Sequence, residues 1–193
     1  MSDADRAESP SGTAVILDFL PHGRADDDRP GYQKSPLAYA LRTDTFRLYE
    51  IIAAEDADIR IGDEIDVDPS NPAIERRREI GYDDLPSGAQ SELEYVINDL
   101  IDSESDRFID IYNEAQPITL RLHQLNLLPG IGKKLRNSIL DERKRQPFED
   151  FEDLESRVPG LHDPNQILAD RIMEELREQD LKYRLFVRRD GEE

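Results

Sequence analysis

The chain has 193 residues, 44 Asp and Glu against 25 Lys and Arg, a formal net charge of −19 and no cysteine. That length buries one good core or two small ones, and a shift in sequence character near Pro69 favours two modules. The lack of cysteine excludes disulfides and thiolate metal sites. The lack of a long apolar run or signal-peptide pattern predicts a soluble, cytoplasmic protein that does not engage membranes. The acid excess fits either a disordered chain or a folded one with a surface adapted to concentrated salt, and periodic apolar segments argue against disorder.

Residues 1–12 are small, polar and acidic and predict a disordered tail. Four β-rich runs follow, Val15 to Leu20, Leu37 to Leu41, Phe46 to Ile52 and Ile65 to Val67, separated by turn residues. Short strands in succession suggest a small barrel, and Tyr183 to Val187 is strand-like enough to return and supply a fifth strand. From Pro86 the period changes. Leu93, Val96, Ile97, Leu100 and Ile101 mark one amphipathic helix, with Ser87 as its expected N-cap. Phe108, Ile109, Ile111, Tyr112 and Ala115 mark a second, ended by Pro117.

The remaining pattern is helix (Leu120 to Leu125), hairpin (Leu128 to Gly132), helix (Lys133 to Arg145, with Leu135, Ile139 and Leu140 inward). Thirty residues on, Val158-Pro159-Gly160-Leu161-His162 repeats the hairpin. Asp163-Pro164 then offers an N-cap and first-turn proline to a helix bearing Ile167, Leu168, Ile172 and Leu176. The unit reads as a duplication with a worn second copy.

Charge is concentrated at the first hairpin. Three of the five lysines, Lys133, Lys134 and Lys144, lie between Thr119 and Pro147, together with Arg121, Arg136, Arg143 and Arg145. Asp141 and Glu142 are the only acids there, so the window carries +5 in a chain that is otherwise strongly negative. Gly130 and Gly132 let backbone N–H groups approach a ligand with no Cβ in the way, and Ile131 anchors the turn. The helix beginning at Lys133 adds its free N–H groups and positive dipole end, and this is an anion site. The competing reading is a tight interhelical turn with solvated lysines. Against it, cations at a helix N-terminus oppose the dipole, so a pair of them there wants an external reason. Gly130, Ile131, Gly132, Lys133, Lys134 and Arg136 are therefore the expected phosphate contacts. Arg121, Arg143, Lys144 and Arg145 extend the strip. The second hairpin, with His162 and Asp163 in place of glycine and lysine, reads as scaffold.

Leu128-Pro129-Gly130-Ile131-Gly132-Lys133-Lys134 resembles the helix-hairpin-helix motif of DNA-handling proteins, and the tandem copy resembles their paired form. The Ile61 to Val67 stretch, a Gly-Asp turn entering a strand, is similar to turns of OB-like and S1-like barrels. From about Val15 to Val187 the chain resembles an archaeal domain-of-unknown-function family, number 655, and with its Arg-over-Lys bias it looks like a halophilic member. The likeness rests on Asp18 to Gly23, Arg29 to Tyr32, Ile80 to Leu85 and the hairpin. It implies an α+β fold, a small OB-like β-barrel followed by an all-α tandem helix-hairpin-helix domain, and it implies no particular reaction. The expected division is a tail (1–12), a barrel (13–70), a helical connector (71–118), the paired hairpins (119–182) and a terminal strand and tail (183–193).

Pro21 to Pro36 is a long connection bearing Arg24, Arg29, Tyr32 and Lys34, cations plus a stacking aromatic that suit a secondary nucleic-acid contact. Asp26, Asp27 and Asp28 equally suit a solvated acidic loop, and adjacent loop carboxylates rarely converge on one metal. Lys134 stands where some DNA glycosylases carry a Schiff-base lysine, but the downstream Val-Asp-Thr-His-like segment of those enzymes is replaced here by the acidic run Glu149 to Glu155. His22, His123 and His162 are scattered, His123 on a helix surface or interhelical seam. No catalytic constellation, metal site or cofactor is expected. The expectation is a nucleic-acid-binding protein gripping DNA or RNA backbone without sequence readout and without catalysis of its own. The rivals are an interaction scaffold docked on ribosome or transcription-complex proteins, and a DNA lyase or nuclease.

Overall fold

Five strands build one antiparallel sheet in a computed structural model that describes residues 12–188. They are β1 (Thr13–Leu20), β2 (Leu37–Arg42), β3 (Leu48–Ala53), β4 (Glu64–Asp66) and β5 (Ile74–Ile80), in the order β4-β1-β2-β3-β5. The sheet curls into a half-barrel. One face packs Ala14, Ile16, Ala38, Ala40, Tyr49, Ile51 and Ala53 with Ile59, Val67 and Ile74. Alanines at Ala14, Ala38, Ala40 and Ala53 leave room for the sheet to curve over this core. A register shift in β1 between Ile16 and Asp18 adds a local bend.

The fifth strand is Ile74–Ile80, within the stretch expected to be a helical connector, and not Tyr183 to Val187. The backbone of the latter is already taken. The Glu175 carboxylate accepts the amides of Leu185, Phe186 and Val187 at 2.7, 2.9 and 2.9 Å, and Arg171 donates to the Tyr183 carbonyl at 2.7 Å. β3 starts at Leu48 rather than Phe46, because buried Phe46 turns with φ +53 and its N–H donates to the Arg42 carbonyl.

The chain divides into two units, Met1–Glu92 and Leu93–Glu193. The tail expected at residues 1–12 falls outside the described residues except for Gly12, whose carbonyl accepts the Val67 amide at 3.1 Å. Helix α1 (Ser87–Ser103) contains Ser87 as its first residue, so Ser87 does not cap it. Leu93, Val96, Ile97, Leu100 and Ile101 are all buried, as their spacing predicts. Helix α2 (Ser105–Glu114) follows directly and buries Phe108, Ile109 and Tyr112.

Leu120 to Leu125 is not a helix. Its start is a turn sewn by Ile118 N–H to Leu122 O (2.8 Å) and a Pro117–His123 bridge, and only Gln124–Leu127 coil, as a short 3-10 helix. Leu120 therefore points outward. Helices α3 (Lys133–Arg145), α4 (Phe151–Arg157) and α5 (Pro164–Arg177) complete the unit. Ile139 of α3 is fully buried, with Leu135 and Leu140 half-buried beside it. Asp163 precedes α5 in a left-handed conformation (φ +48) and its side chain caps nothing. Among the described residues no helix is long and apolar enough to cross a membrane.

Candidate functional site

The two hairpins share one backbone device. In the first, Ile131 N–H donates to Leu128 O at 3.2 Å, and in the second Leu161 N–H donates to Val158 O at 3.2 Å. Gly130 and Gly160 both sit in the left-handed region, at φ +79 and +89, which other residues enter only with strain. Leu128, Ile131, Val158 and Leu161 are all buried as the anchors of these turns.

They differ in what they offer outward. Gly132 caps α3 with φ −87 and no side chain, no acid lies in the first turn, and the first intrahelical bond is Arg136 N–H to Gly132 O at 3.0 Å. The amides of Lys133, Lys134 and Leu135 are thus left for an external acceptor. A Cβ built on Gly130 or Gly132 meets nothing within 4 Å. Gly132 has an extended backbone that any residue adopts, so neither conformation nor packing requires glycine there. At the second hairpin a Cβ on Gly160 would lie 3.6 Å from Leu135, the acid Asp163 stands at the N-cap, and Pro164 has no N–H to give. This hairpin thus lies beside α3 at Gly160, with Pro159, Gly160 and His162 exposed.

The side chains of Lys133 and Lys134 are exposed and make no hydrogen bond or ion pair among the described residues, and the same holds for the side chains of Arg121 and Lys144. Arg136 is half-buried and oriented, donating to Asn126 Oδ1 at 3.1 Å and to Asn137. Arg143 is turned inward, donating to the carbonyls of Tyr112 (3.0 Å) and Ala115 (2.9 Å) at the end of α2. Burial lowers its pKa. Arg145 pairs with Glu142 at 3.1 Å on the surface.

His123 does not lie on a helix surface. It is buried, caps the 3-10 helix by accepting Leu125 N–H on Nδ1 at 3.1 Å, and is held below the ordinary histidine pKa by burial and then by the charges of Arg143 and Arg136. Asn126 went unnoticed in the sequence. Its side chain accepts from His123 N–H (3.2 Å) and Arg136 and donates to Ile131 O (3.4 Å), tying the 3-10 helix to the hairpin and to α3. An Asn three residues after a buried His is the signal that was available.

Arg24, Arg29, Tyr32 and Lys34 belong to the other unit. Arg24 pairs with Glu50, which also accepts from Arg78 at 3.0 Å. Arg29 clasps Asp27 at 2.7 Å, and its guanidinium draws the Asp27 carboxyl down to about 2. Lys34 donates to the Arg24 carbonyl at 3.3 Å, and Tyr32 is 83% exposed. His22, Arg24, Lys34 and Arg78 border one groove of about 870 Å³. Arg78 was missed because it sits in the charged run that also concealed β5. Among the described residues no group of three or more His, Asp or Glu side chains is placed to hold a metal ion.

Residues 11–188 match the family described as protein of unknown function (DUF655). The chain belongs to that family. It is similar to the uncharacterized protein MJ0038 of Methanocaldococcus jannaschii, with 38% identity over 178 residues covering 91% of this chain and 79% of the relative. The crystal structure of Af1531 from Archaeoglobus fulgidus superposes with a TM-score of 0.83 and 36% identity, covering 92% of this chain and 99% of that one. The family thus has archaeal members, and Af1531 shares the mixed architecture of sheet and helices.

Proposed function

We propose that this chain binds the phosphate backbone of nucleic acid through the Gly130–Lys134 hairpin, without reading sequence and without catalysis of its own. On this reading the helical unit is a tandem helix-hairpin-helix in which the second copy has become support, the half-barrel is an OB-like barrel left open, and the acidic surface is a halophilic solvation device. The observation that carries the proposal is the N-terminus of α3: three unclaimed amides, a glycine cap that the fold itself does not need, and two unpaired lysines in a chain of net charge −19. A phosphate satisfies all of them together. Few ionic contacts suit concentrated salt, since two duplex phosphates neutralised cost about a hundredfold in affinity per tenfold rise in salt.

The test is binding of labelled duplex DNA, single-stranded DNA and structured RNA across a potassium chloride series, wild type beside Lys133→Glu/Lys134→Glu. The expected result is binding of at least one class by wild type, lost by the double variant. Equal binding by both proteins, or none by either, overturns the proposal and moves the search to protein partners.

A further inference from the structure

Leu120 is 107% exposed, at the apex of a turn in which polar residues are the rule. The turn is stiff. Thr119 Oγ1 accepts the N–H groups of both Arg121 (3.2 Å) and Leu122 (3.0 Å), and Ile118 and Thr119 both donate to Leu122 O. At its base Gln116 and Gln124 exchange two bonds, Gln116 N–H to Oε1 at 2.7 Å and Gln124 N–H to Gln116 O at 2.9 Å. From Gln124 the chain runs through the 3-10 helix to Asn126, which is bonded to Ile131 O and Arg136. One hydrogen-bonded block therefore carries Leu120 and the Gly130–Lys134 hairpin together.

The sequence of this block stands apart from the rest of the chain in charge. From Ala115 to Leu140, 26 consecutive residues contain no Asp or Glu, in a chain where 44 of 193 residues are acidic. The side chain of Arg121, directly beside the apolar tip, is exposed and has no partner among the described residues. An apolar side chain alone on a surface is ordinary. One held rigidly at an apex, beside an unpaired guanidinium and within a stretch of chain that has no acid of its own, has the form of the wedges that enter between base steps while cations hold the backbone.

We infer that Leu120 is such a wedge: with phosphate held at the hairpin, a reading on which this inference rests, Leu120 inserts between neighbouring bases and Arg121 pairs with the adjacent phosphate. The ligand class this selects is nucleic acid with base steps that open easily, such as a junction between duplex and single strand or a pyrimidine–purine step, over uniformly stacked duplex.

The experiment uses the full chain with DNA carrying 2-aminopurine at successive positions across a duplex-to-single-strand junction, whose fluorescence rises on unstacking. Leu120 packs against nothing, so Leu120→Ala leaves folding intact. Wild type and Leu120→Met are expected to raise the signal at one step, and Leu120→Ala to abolish the rise and weaken junction binding about tenfold with an unchanged salt slope. If Leu120→Ala keeps the full rise and affinity, or wild type binds with no rise at any position, the wedge is overturned while the hairpin clamp stands. If wild type binds no nucleic acid, both fall.

Discussion

Arg171 and Glu175, one turn apart on α5 and both buried, are joined by Nε to Oε1 at 2.9 Å, and both also bond the backbone of residues 183–187, while a further Arg171 nitrogen pairs with Glu174 at 2.8 Å. The carboxylate takes three successive amides and the guanidinium one carbonyl, so a segment with strand propensity is fixed to a helix instead of a sheet. Phe186 and Val187 are thereby buried, and the Phe186 ring lies 6.4 Å from that of Phe108.

Breaking this pair strands a buried charge. Arg171→Met is expected to lower unfolding free energy by about 3–5 kcal/mol, measured by urea denaturation. Arg171→Met/Glu175→Met recovers only part of the loss, because the three amides of 185–187 then lack their acceptor.

Gly132 separates stability from binding. Gly132→Asp places a capping carboxylate at an extended N-cap whose amides are free, and should stabilise the fold by about 0.5–1 kcal/mol in thermal or urea unfolding. The same side chain fills and charges the proposed anion site, so nucleic-acid binding should fall at least about tenfold in the salt-series assay. Gly130→Ala differs, costing about 1–2 kcal/mol of stability through its positive φ.

Arg143 should prove to be a structural cation. Arg143→Leu removes two charge-assisted bonds to the end of α2 and is expected to cost about 2 kcal/mol while leaving the salt slope of nucleic-acid binding unchanged. Lys144→Glu, on an exposed and unpaired neighbour, is expected to do the reverse.

His123 makes stability depend on pH in a definite direction. Its folded pKa lies below the unfolded value of 6.5, so the unfolded chain binds the proton more readily. The contribution is fully present above pH 6.5 and is lost as pH falls through the depressed folded value. Urea midpoints for wild type should decline from pH 7 toward pH 5. His123→Asn, which keeps a capping acceptor, should flatten that decline, and Arg143→Leu should raise the His123 titration followed by NMR.

What the sequence revealed tracks how strongly each segment's pattern was set by burial. β1, β2 and β3 carry continuous or alternating apolar residues, and α1 repeats its apolar face at helical spacing, so these elements were legible. β5 was not. Ile74-Glu75-Arg76-Arg77-Arg78-Glu79-Ile80 is apolar only at its ends because it is an edge strand paired on one side, to β3. Within Leu120 to Leu125 only Leu122 and Leu125 stand three apart as in a helix, Pro117 and the Thr119 hydroxyl favour a turn, and Leu120 ends up outside the core. At the candidate site the glycines and lysines were visible as types in order. Which arginines are free was not, because Arg143 and Arg136 are claimed by carbonyls and an asparagine that only the fold brings near.

The half-barrel leaves a seam. Among the described residues β4 and β5 each pair on one side alone, and an unpaired edge is a template for any extended chain that meets it. The five charges from Glu75 to Glu79 lie along one of those edges, and Arg77 reaches across to the Val67 carbonyl, just past the end of β4, while stacking on Tyr49. The run that hid the strand from sequence inspection is therefore also a row of charge along an open edge, the kind of feature that opposes strand addition there.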